Sequence, residues 1–160
     1  MQHAPDRIKL LQAMPFFGAI NNRSVELILK LSETLEVERD ELFYEEGQRG
    51  DSLFILEQGR VVIFKRDESK EYVLRHAEKG DCFGELALID IESRYASVRA
   101  ESDCTAIEIP SSALLSLYEN DVEQFILIQM NMAREVGRRL RAADERWFQI
   151  QKDNTAVSSY

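Results

Sequence analysis

Apolar residues recur at the three- and four-residue spacing of a helix over the first part of the chain, from Asp6 to about Leu35. Val25 and Ile28 fall on one side of this helix. Asn21 or Asn22 precedes it and can cap its N-terminus, because an amide side chain accepts from the first free backbone N–H groups. The pattern therefore predicts a helical N-terminal section.

From about Thr34 to Pro110 the pattern changes to short apolar runs. Leu53–Leu56 and Val61–Phe64 are rich in β-branched and aromatic residues, and Gln58-Gly59 between them indicates a turn. Further runs of the same character follow at Tyr72–Leu74, Ala96–Val98 and Ala106–Ile109. Many short strands with frequent glycines predict a small sandwich or rolled barrel rather than alternating βαβ units.

Helical spacing returns from Ser111 to about Lys152. A short helix, Ala113–Tyr118, is predicted to break at Asn120, and a long helix is predicted to begin near Asp121. The long helix carries an apolar stripe of Phe125, Ile128, Met132, Val136, Leu140, Ala143, Trp147 and Ile150. This helix is longer than a small β-body can cover, so the stripe predicts a homodimer through a partner helix.

Outside the apolar stripe, the long helix and the tail that follows it are rich in polar and charged residues. Five arginines between residues 134 and 146 are interleaved with acidic residues, and we expect them on the solvated side of the long helix. The tail from Asp153 to Tyr160 is polar and is predicted to be disordered.

Composition narrows the class of protein. The formal net charge is −9, and an acidic surface repels phosphate backbones, which argues against a nucleic-acid binder. No apolar run reaches the roughly 18 residues of a membrane-spanning helix, and the N-terminus lacks the layout of a secretory signal. We therefore expect a cytoplasmic protein without membrane contact, in which Cys82 and Cys104 are reduced thiols. Two histidines are too few for a metal or haem site, so no metal or prosthetic group is expected.

One segment carries residues suited to binding an anion. It reads Phe83-Gly84-Glu85-Leu86-Ala87-Leu88-Ile89 and continues, after a short link, as Arg94-Tyr95-Ala96-Ser97-Val98. A glycine followed by a short helical turn can present free backbone N–H groups to an anion. The planar guanidinium of Arg94 suits phosphate oxygens, and the Glu85 carboxylate can accept from sugar hydroxyls. Together they indicate a phosphate-plus-ribose site.

The same segment resembles the phosphate-binding cassette of cyclic-nucleotide-binding domains, in which F-G-E-[LI]-[AG]-L precedes R-x-A-[ST]-V. The resemblance extends upstream through residues 43–59 and 80–83 and covers about residues 8–148. It is to domains of the catabolite activator and protein kinase A regulatory type. It implies an α+β fold: a double-stranded β-helix, or jelly-roll-like β-roll, flanked by N-terminal helices and a long C-terminal helix.

The resemblance also implies roles for individual residues. Glu85 would bind the ribose 2′-hydroxyl and Arg94 the cyclic phosphate, while Gly84 would allow a close approach of the backbone. Backbone N–H groups of the neighbouring residues would complete the phosphate cradle. The predicted ligand-binding residues are Phe83, Gly84, Glu85, Leu86, Ala87, Arg94, Tyr95 and Ala96.

The residue after the arginine bears on the choice of base. In the family a Thr or Ser there reads the guanine amino group of cGMP, whereas this chain has Tyr95. The absence of a Thr or Ser at this position favours cAMP as the ligand, with cGMP as the other candidate. Activator-type proteins continue into a helix-turn-helix domain, and no such module is present in this sequence, so direct DNA binding is not expected.

These observations predict a regulatory sensor that is not an enzyme. Residues 6–118 would form the nucleotide-binding β-roll with its flanking helices, residues 119–152 the dimerisation helix and residues 153–160 the disordered tail. Ligand binding would be transmitted through the C-terminal helix, with no output partner assigned. The alternative is a degenerate β-roll in which Glu85 and Arg94 simply pair with each other, acting as a nucleotide-independent interaction or dimerisation module. An enzyme on a cupin-like roll would need a histidine cluster, which the sequence lacks.

Overall fold

Two four-stranded antiparallel sheets form the body of the chain. The structure, a computed structural model, describes residues 4–157, with side chains described for residues 6–154. The first sheet contains, in spatial order, β1 (Glu33–Val37), β8 (Cys104–Pro110), β3 (Ser52–Gln58) and β6 (Cys82–Phe83). The second contains β2 (Leu42–Tyr44), β7 (Ser97–Ala100), β4 (Arg60–Asp67) and β5 (Lys70–Glu78).

Five α-helices flank the two sheets in the described part of the chain. They are α1 (Ala4–Gln12), α2 (Asn22–Lys30), α3 (Leu86–Ile89), α4 (Ser111–Asn120) and α5 (Val122–Val157). The predicted α+β fold, a β-roll flanked by helices, is confirmed.

Strand β3 lies between two hydrophobic cores. Side chains alternate along a strand, so Leu53 and Ile55 face the helices while Phe54 and Leu56 face the interior of the roll. All four are buried, which explains why this run is continuously apolar instead of alternating. Strand β4 follows β3 directly but pairs with β5 and β7 of the other sheet. The turn at Gln58-Gly59 therefore passes the chain from one sheet to the other.

The N-terminal helices cover the outer face of the first sheet. Asn21 caps α2, since its Oδ1 accepts from the Ser24 N–H at 2.8 Å, as the sequence predicted. The expected helix to Leu35 is wrong in its last part, because α2 ends at Lys30 and β1 begins at Glu33. Pairing of β1 with β8 places Leu35 opposite Ala106, and this sheet contact outweighs the local helical spacing.

The C-terminal helices follow the sequence prediction at their start and depart from it at their end. Helix α4 ends at Asn120, and Asp121 begins α5 by accepting the Gln124 N–H at 3.2 Å. The helix continues to Val157, so the disordered tail predicted from Asp153 is wrong over Asp153–Val157. Residues 158–160 of that prediction lie outside the described residues.

The predicted apolar stripe of α5 divides between two environments. Ile128 and Met132 are buried against the helical core, and Val136 is half-buried beside the roll. Leu140 and Trp147 are 60% and 63% exposed. Every described residue from 141 to 154 is exposed, so the last turns of the helix project beyond the body.

Candidate functional site

The anion-binding segment forms a tight connection between the two sheets. Strand β6 ends at Phe83, the short helix α3 follows, and a loop returns the chain to β7 through Arg94. Gly84 has φ +80°, and a Cβ placed on it would lie 2.7 Å from Arg94 Nη1. Only glycine fits here without displacing that arginine.

Arg94 is held inside this connection with 5% of its surface exposed. Its Nη1 donates to the Gly84 carbonyl oxygen at 2.6 Å and its Nη2 to Ser52 Oγ at 3.3 Å. The guanidinium carbon lies 4.2 Å from the centre of the Tyr44 ring, a cation–π distance. The Nε atom is buried and has no hydrogen-bond partner among the described residues.

The charge of Arg94 has no direct counter-ion among the side chains that the structure describes. None of the ion pairs in the described part of the chain includes Arg94. Burial lowers the pKa of the guanidinium, while Asp51, Glu108 and Glu85 oppose this shift through space without bonding to it. A buried cation with an unused N–H group creates a local preference for an anion.

Glu85 is also buried, with 2% of its surface exposed, and its partner comes from the long helix. Arg139 Nη1 of α5 donates to Glu85 Oε1. Arg139 Nε donates to Glu135 Oε1 at 3.1 Å. Burial opposes the charge on Arg139, but Glu85 and Glu135 raise its pKa overall. The expectation that all the arginines of α5 lie on a solvated face is therefore wrong for Arg139, which is one-third exposed and joins α5 to the cassette.

The pairing that would make Glu85 and Arg94 a purely structural ion pair is not formed. Each of the two side chains has its own partners, and Arg94 instead contacts Gly84 and Ser52. Sequence reasoning missed Ser52, whose hydroxyl donates to Glu108 at 2.7 Å and accepts from Arg94. Local patterns hold no signal for it, since the contact joins residues 42 positions apart.

The other five predicted ligand-binding residues fall into three groups. Phe83 and Ala96 are each 1% exposed and belong to the core of the roll, so their side chains support the cassette from within. Leu86 and Tyr95 line a cavity next to it, and Tyr95 is 43% exposed. Ala87 is nearly buried, at 7% exposure. The structure thus brings all eight residues together, and their ligand contacts stay predictions.

A cavity of about 490 Å³ extends from the cassette between β5 and α5. Leu74 and Arg75 of β5 form one wall, and α5 from Val136 to Arg146 contributes the opposite wall. Its lining is mostly apolar and includes three arginines, Arg75, Arg139 and Arg146. This is a shape and composition suited to a flat, partly apolar ligand group.

The described residues contain neither a metal-binding cluster nor a membrane-spanning helix. No cluster of three or more His, Cys, Asp or Glu side chains there could hold a metal ion. No helix among them is long and apolar enough to cross a membrane. Cys82 and Cys104 are buried free thiols, and burial raises the pKa of Cys82 well above its ordinary value.

The profile of the cyclic nucleotide-binding domain family matches residues 34–121, more than half of the chain. The chain belongs to this family. Cyclic nucleotide-binding domains are regulatory modules, and the match includes both Glu85 and Arg94.

Curated relatives share parts of this domain. The chain is 26% identical over 139 residues to the cyclic AMP receptor protein of Thermus thermophilus, covering 84% of this chain and 61% of that protein. It is 32% identical over 93 residues to the cAMP-dependent protein kinase regulatory subunit of Emericella nidulans, covering 58% and 22%. A cGMP-dependent protein kinase of Drosophila melanogaster, isozyme 1, is 32% identical over 112 residues, covering 64% and 14%. The chain thus spans less than two thirds of the length of these relatives.

Solved structures share the fold. A cyclic nucleotide-binding domain from Methylobacillus flagellatus superposes with a TM-score of 0.78 at 21% identity, covering 89% of this chain and 80% of that one. The Thermus thermophilus catabolite activator protein superposes with a TM-score of 0.74 at 25% identity, covering 86% and 63%.

Proposed function

We propose that this chain binds a cyclic 3′,5′-nucleotide at the cassette and transmits binding through α5. The observation that carries the proposal is Arg94: a buried guanidinium that has, among the described residues, no ion-pair partner and no acceptor for its Nε–H. A singly charged phosphate would supply the missing counter-charge and accept charge-assisted hydrogen bonds. The sequence favours cAMP, and the proposal holds for either purine nucleotide.

Glu85 would hold the ribose. Its carboxylate accepts from Arg139 through Oε1, and no donor in the described residues bonds to Oε2. A carboxylate has about four lone-pair sites, so a ribose 2′-hydroxyl can donate to Glu85 while Arg139 remains bound. The cradle is completed by the Leu86 and Ala87 N–H groups, which no carbonyl of the described chain accepts.

The Glu85–Arg139 contact would couple the ligand to α5. It joins a residue of the cassette to a residue of the long helix 54 positions away. A ligand shifts the position of the helix only by binding one arrangement more tightly than the other. A ribose 2′-hydroxyl that donates to the same carboxylate would change the strength of the Glu85–Arg139 bond. That change would favour one position of α5 over the other.

We also propose that α5 pairs with α5 of a second copy. Exposed or half-exposed residues on one face of the helix follow alternating spacings of four and three, and all but Asp144 are uncharged: Ile126, Met130, Ala133, Gly137, Leu140, Asp144 and Trp147. This is the spacing of a two-stranded coiled coil, and a second identical helix is the occupant that repeats it. This face shares Leu140 and Trp147 with the stripe predicted from the sequence, whose residues Ile128 and Met132 pack on the body. A cytoplasmic location and the lack of direct DNA binding stay predictions.

Thermal unfolding tests ligand binding. A ligand that binds only the folded state stabilises it by about 2.7 kcal/mol at a hundred-fold excess over Kd, which corresponds to about 5–10 °C in Tm for a domain of this size. We expect such a shift with cAMP or cGMP and a smaller shift with the 2′-deoxy analogue, which lacks the hydroxyl for Glu85. If neither nucleotide raises Tm at millimolar concentration, the nucleotide-independent alternative is favoured.

Replacing Gly84 with alanine should damage the site specifically. The new Cβ would lie 2.7 Å from Arg94 Nη1 and force the arginine to move, so we expect about ten-fold weaker nucleotide binding. Gly80→Ala is the matched control, because Gly80 also has a positive φ of 91° but its Cβ would meet nothing within 4 Å. Both variants should lose about 1–2 kcal/mol of stability from backbone strain, and only Gly84→Ala should lose affinity. Equal affinities of the two variants would contradict the assigned role.

A further inference from the structure

A buried serine connects Arg94 to a carboxylate on another strand. Ser52 begins β3, has 3% of its surface exposed and accepts from Arg94 Nη2 at 3.3 Å. Its own hydroxyl donates to Glu108 Oε1 of β8 at 2.7 Å. The three side chains thus form a chain of hydrogen bonds that runs from the guanidinium through the hydroxyl to the carboxylate.

The register of the first sheet explains why these side chains meet. Strands β3 and β8 are antiparallel, with Phe54 opposite Glu108 and Ser52 opposite Pro110. Side chains alternate along a strand, so Ser52 lies on the same face as Phe54, which belongs to the interior core of the roll. Glu108 lies on this face as well, and a diagonal cross-strand neighbour is within reach of its long side chain. The pairing of the two strands therefore places a half-buried carboxylate behind the serine.

Glu108 acts on Arg94 without touching it. None of the ion pairs among the described side chains includes Glu108, and the donor to its side chain is Ser52. Burial lowers the pKa of Arg94, and Glu108 is one of the groups that oppose this shift through space. The hydroxyl of Ser52 is thus the direct link between the two charged groups.

The direction of the serine hydroxyl decides what it can do for Arg94. A hydroxyl has one hydrogen and two lone pairs and rotates to suit its partners, whereas a carboxylate only accepts. Glu108 therefore takes the hydroxyl hydrogen and leaves a lone pair of Ser52 for Arg94 Nη2. Arg94 Nη1 is held by the Gly84 carbonyl oxygen, and the Tyr44 ring lies against the guanidinium. Together these contacts fix the plane of the guanidinium and the direction of its remaining N–H groups.

We propose that Ser52 and Glu108 are positioning residues, which orient Arg94 for the phosphate of a cyclic nucleotide. The inference rests on the proposed function, in which Arg94 binds that phosphate. A guanidinium whose plane is fixed beforehand loses less conformational freedom when it binds an anion. The negative charge of Glu108 by itself repels an anion, so its contribution to binding comes from its acceptor oxygen. Both residues act through Arg94 in this assignment.

A double-mutant cycle tests whether the hydroxyl acts through Arg94. Ser52→Ala should weaken the binding of cAMP or cGMP about five-fold in the wild-type background. In the Arg94→Ala background the same change should cost less than about two-fold, because no guanidinium remains to be oriented. Calorimetric titration of the whole chain, up to millimolar nucleotide and below the Tm of each variant, measures the four affinities.

Ser24→Ala is the matched control for the loss of a buried hydroxyl. Ser24 is 2% exposed, but it lies on α2 and not behind Arg94. This variant should leave nucleotide affinity unchanged in both backgrounds. A purely structural role for Ser52 would instead lower affinity by the same factor with and without Arg94.

Two substitutions of similar size separate the acceptor oxygen of Glu108 from its charge. Glu108→Gln and Glu108→Met both remove the negative charge, and only the glutamine keeps an oxygen that can accept from Ser52. We expect Glu108→Gln to bind the nucleotide at least as tightly as the wild type, since a repelling charge is lost. Glu108→Met should bind about three- to five-fold more weakly than Glu108→Gln, because the Ser52 hydroxyl is no longer held. This comparison does not depend on the Arg94→Ala background.

The remaining outcomes identify which part is wrong. If Ser52→Ala binds as tightly as the wild type, or costs the same factor in both backgrounds, the hydroxyl does not position Arg94, and nucleotide binding stands. If Glu108→Gln and Glu108→Met bind equally, Glu108 is not part of the assignment. If the wild-type chain binds neither cAMP nor cGMP, the proposed function itself is wrong, and the inference falls with it.

Discussion

Arg94→Ala is expected to weaken cyclic nucleotide binding about ten- to a hundred-fold. The reason is the loss of a charge-assisted hydrogen bond to the phosphate, worth about 1.5–3 kcal/mol. Arg94→Lys should weaken binding as well, because an ammonium group cannot reproduce the planar fork that bonds Gly84 and Ser52 at the same time. Affinity is measured by calorimetry below the Tm of each variant.

Arg99→Ala separates the loss of ligand contact from a general loss of packing. Arg99 lies on β7 close to Arg94 in sequence, stacks on Phe64 with 4.8 Å to the ring centre and bonds the Glu71 carboxylate. Its hydrogen bonds to that carboxylate, with those of Arg66, hold the pKa of Glu71 down to about 2. Removing Arg99 should affect stability and leave nucleotide affinity unchanged. If Arg94→Ala lowers Tm and preserves affinity in the same way, Arg94 has a structural role and not a binding one.

The second large effect is expected at the exposed face of α5. Leu140→Glu combined with Trp147→Glu should convert a dimer into a folded monomer, because two paired helices would bury four carboxylates in an apolar seam. Both side chains are more than half exposed in the single chain, so the folded monomer should keep its Tm. Sedimentation velocity at micromolar concentration measures the change.

A control double variant lies on the other side of the same helix. Arg138→Glu with Gln149→Glu adds acidic charge at exposed positions outside the seam and should leave the dimer intact. Val136 is unsuitable for this test despite its place in the predicted stripe, because it is half-buried beside the roll, where a carboxylate would destabilise the folded monomer itself. A wild-type chain that sediments as a monomer would refute the proposed pairing.

Much of the fold could be predicted from local patterns. The start of α5 near Asp121 and the cap at Asn21 were predictable because a capping side chain bonds N–H groups only a few residues away. The strand at Leu53–Leu56 was predictable from its continuous apolar run. The end of the first helical section was not, because β1 forms by pairing with β8, about 70 residues later in the chain.

The candidate site likewise has a part that the local sequence predicts and a part that it does not. Gly84, Glu85 and Arg94 lie within one short segment, and their residue types alone indicate phosphate and ribose binding. Ser52 and Arg139 reach that segment from distant parts of the chain. Arg139 was placed on a solvated face because charged residues at helical spacing usually lie there, and only packing of α5 against the roll brings it to Glu85.

By itself, the sequence determined the class of fold and the identity of the anion-binding segment, since both depend on residue types at short spacing. Tertiary structure alone decided which partners those residues take: Arg94 has no counter-ion among the described residues, and Glu85 is bonded to the long helix beside a cavity. It also decided which face of α5 remains free. The physical reason is that burial and hydrogen-bond partners depend on how distant segments pack, and a helix or strand pattern does not specify what packs against it.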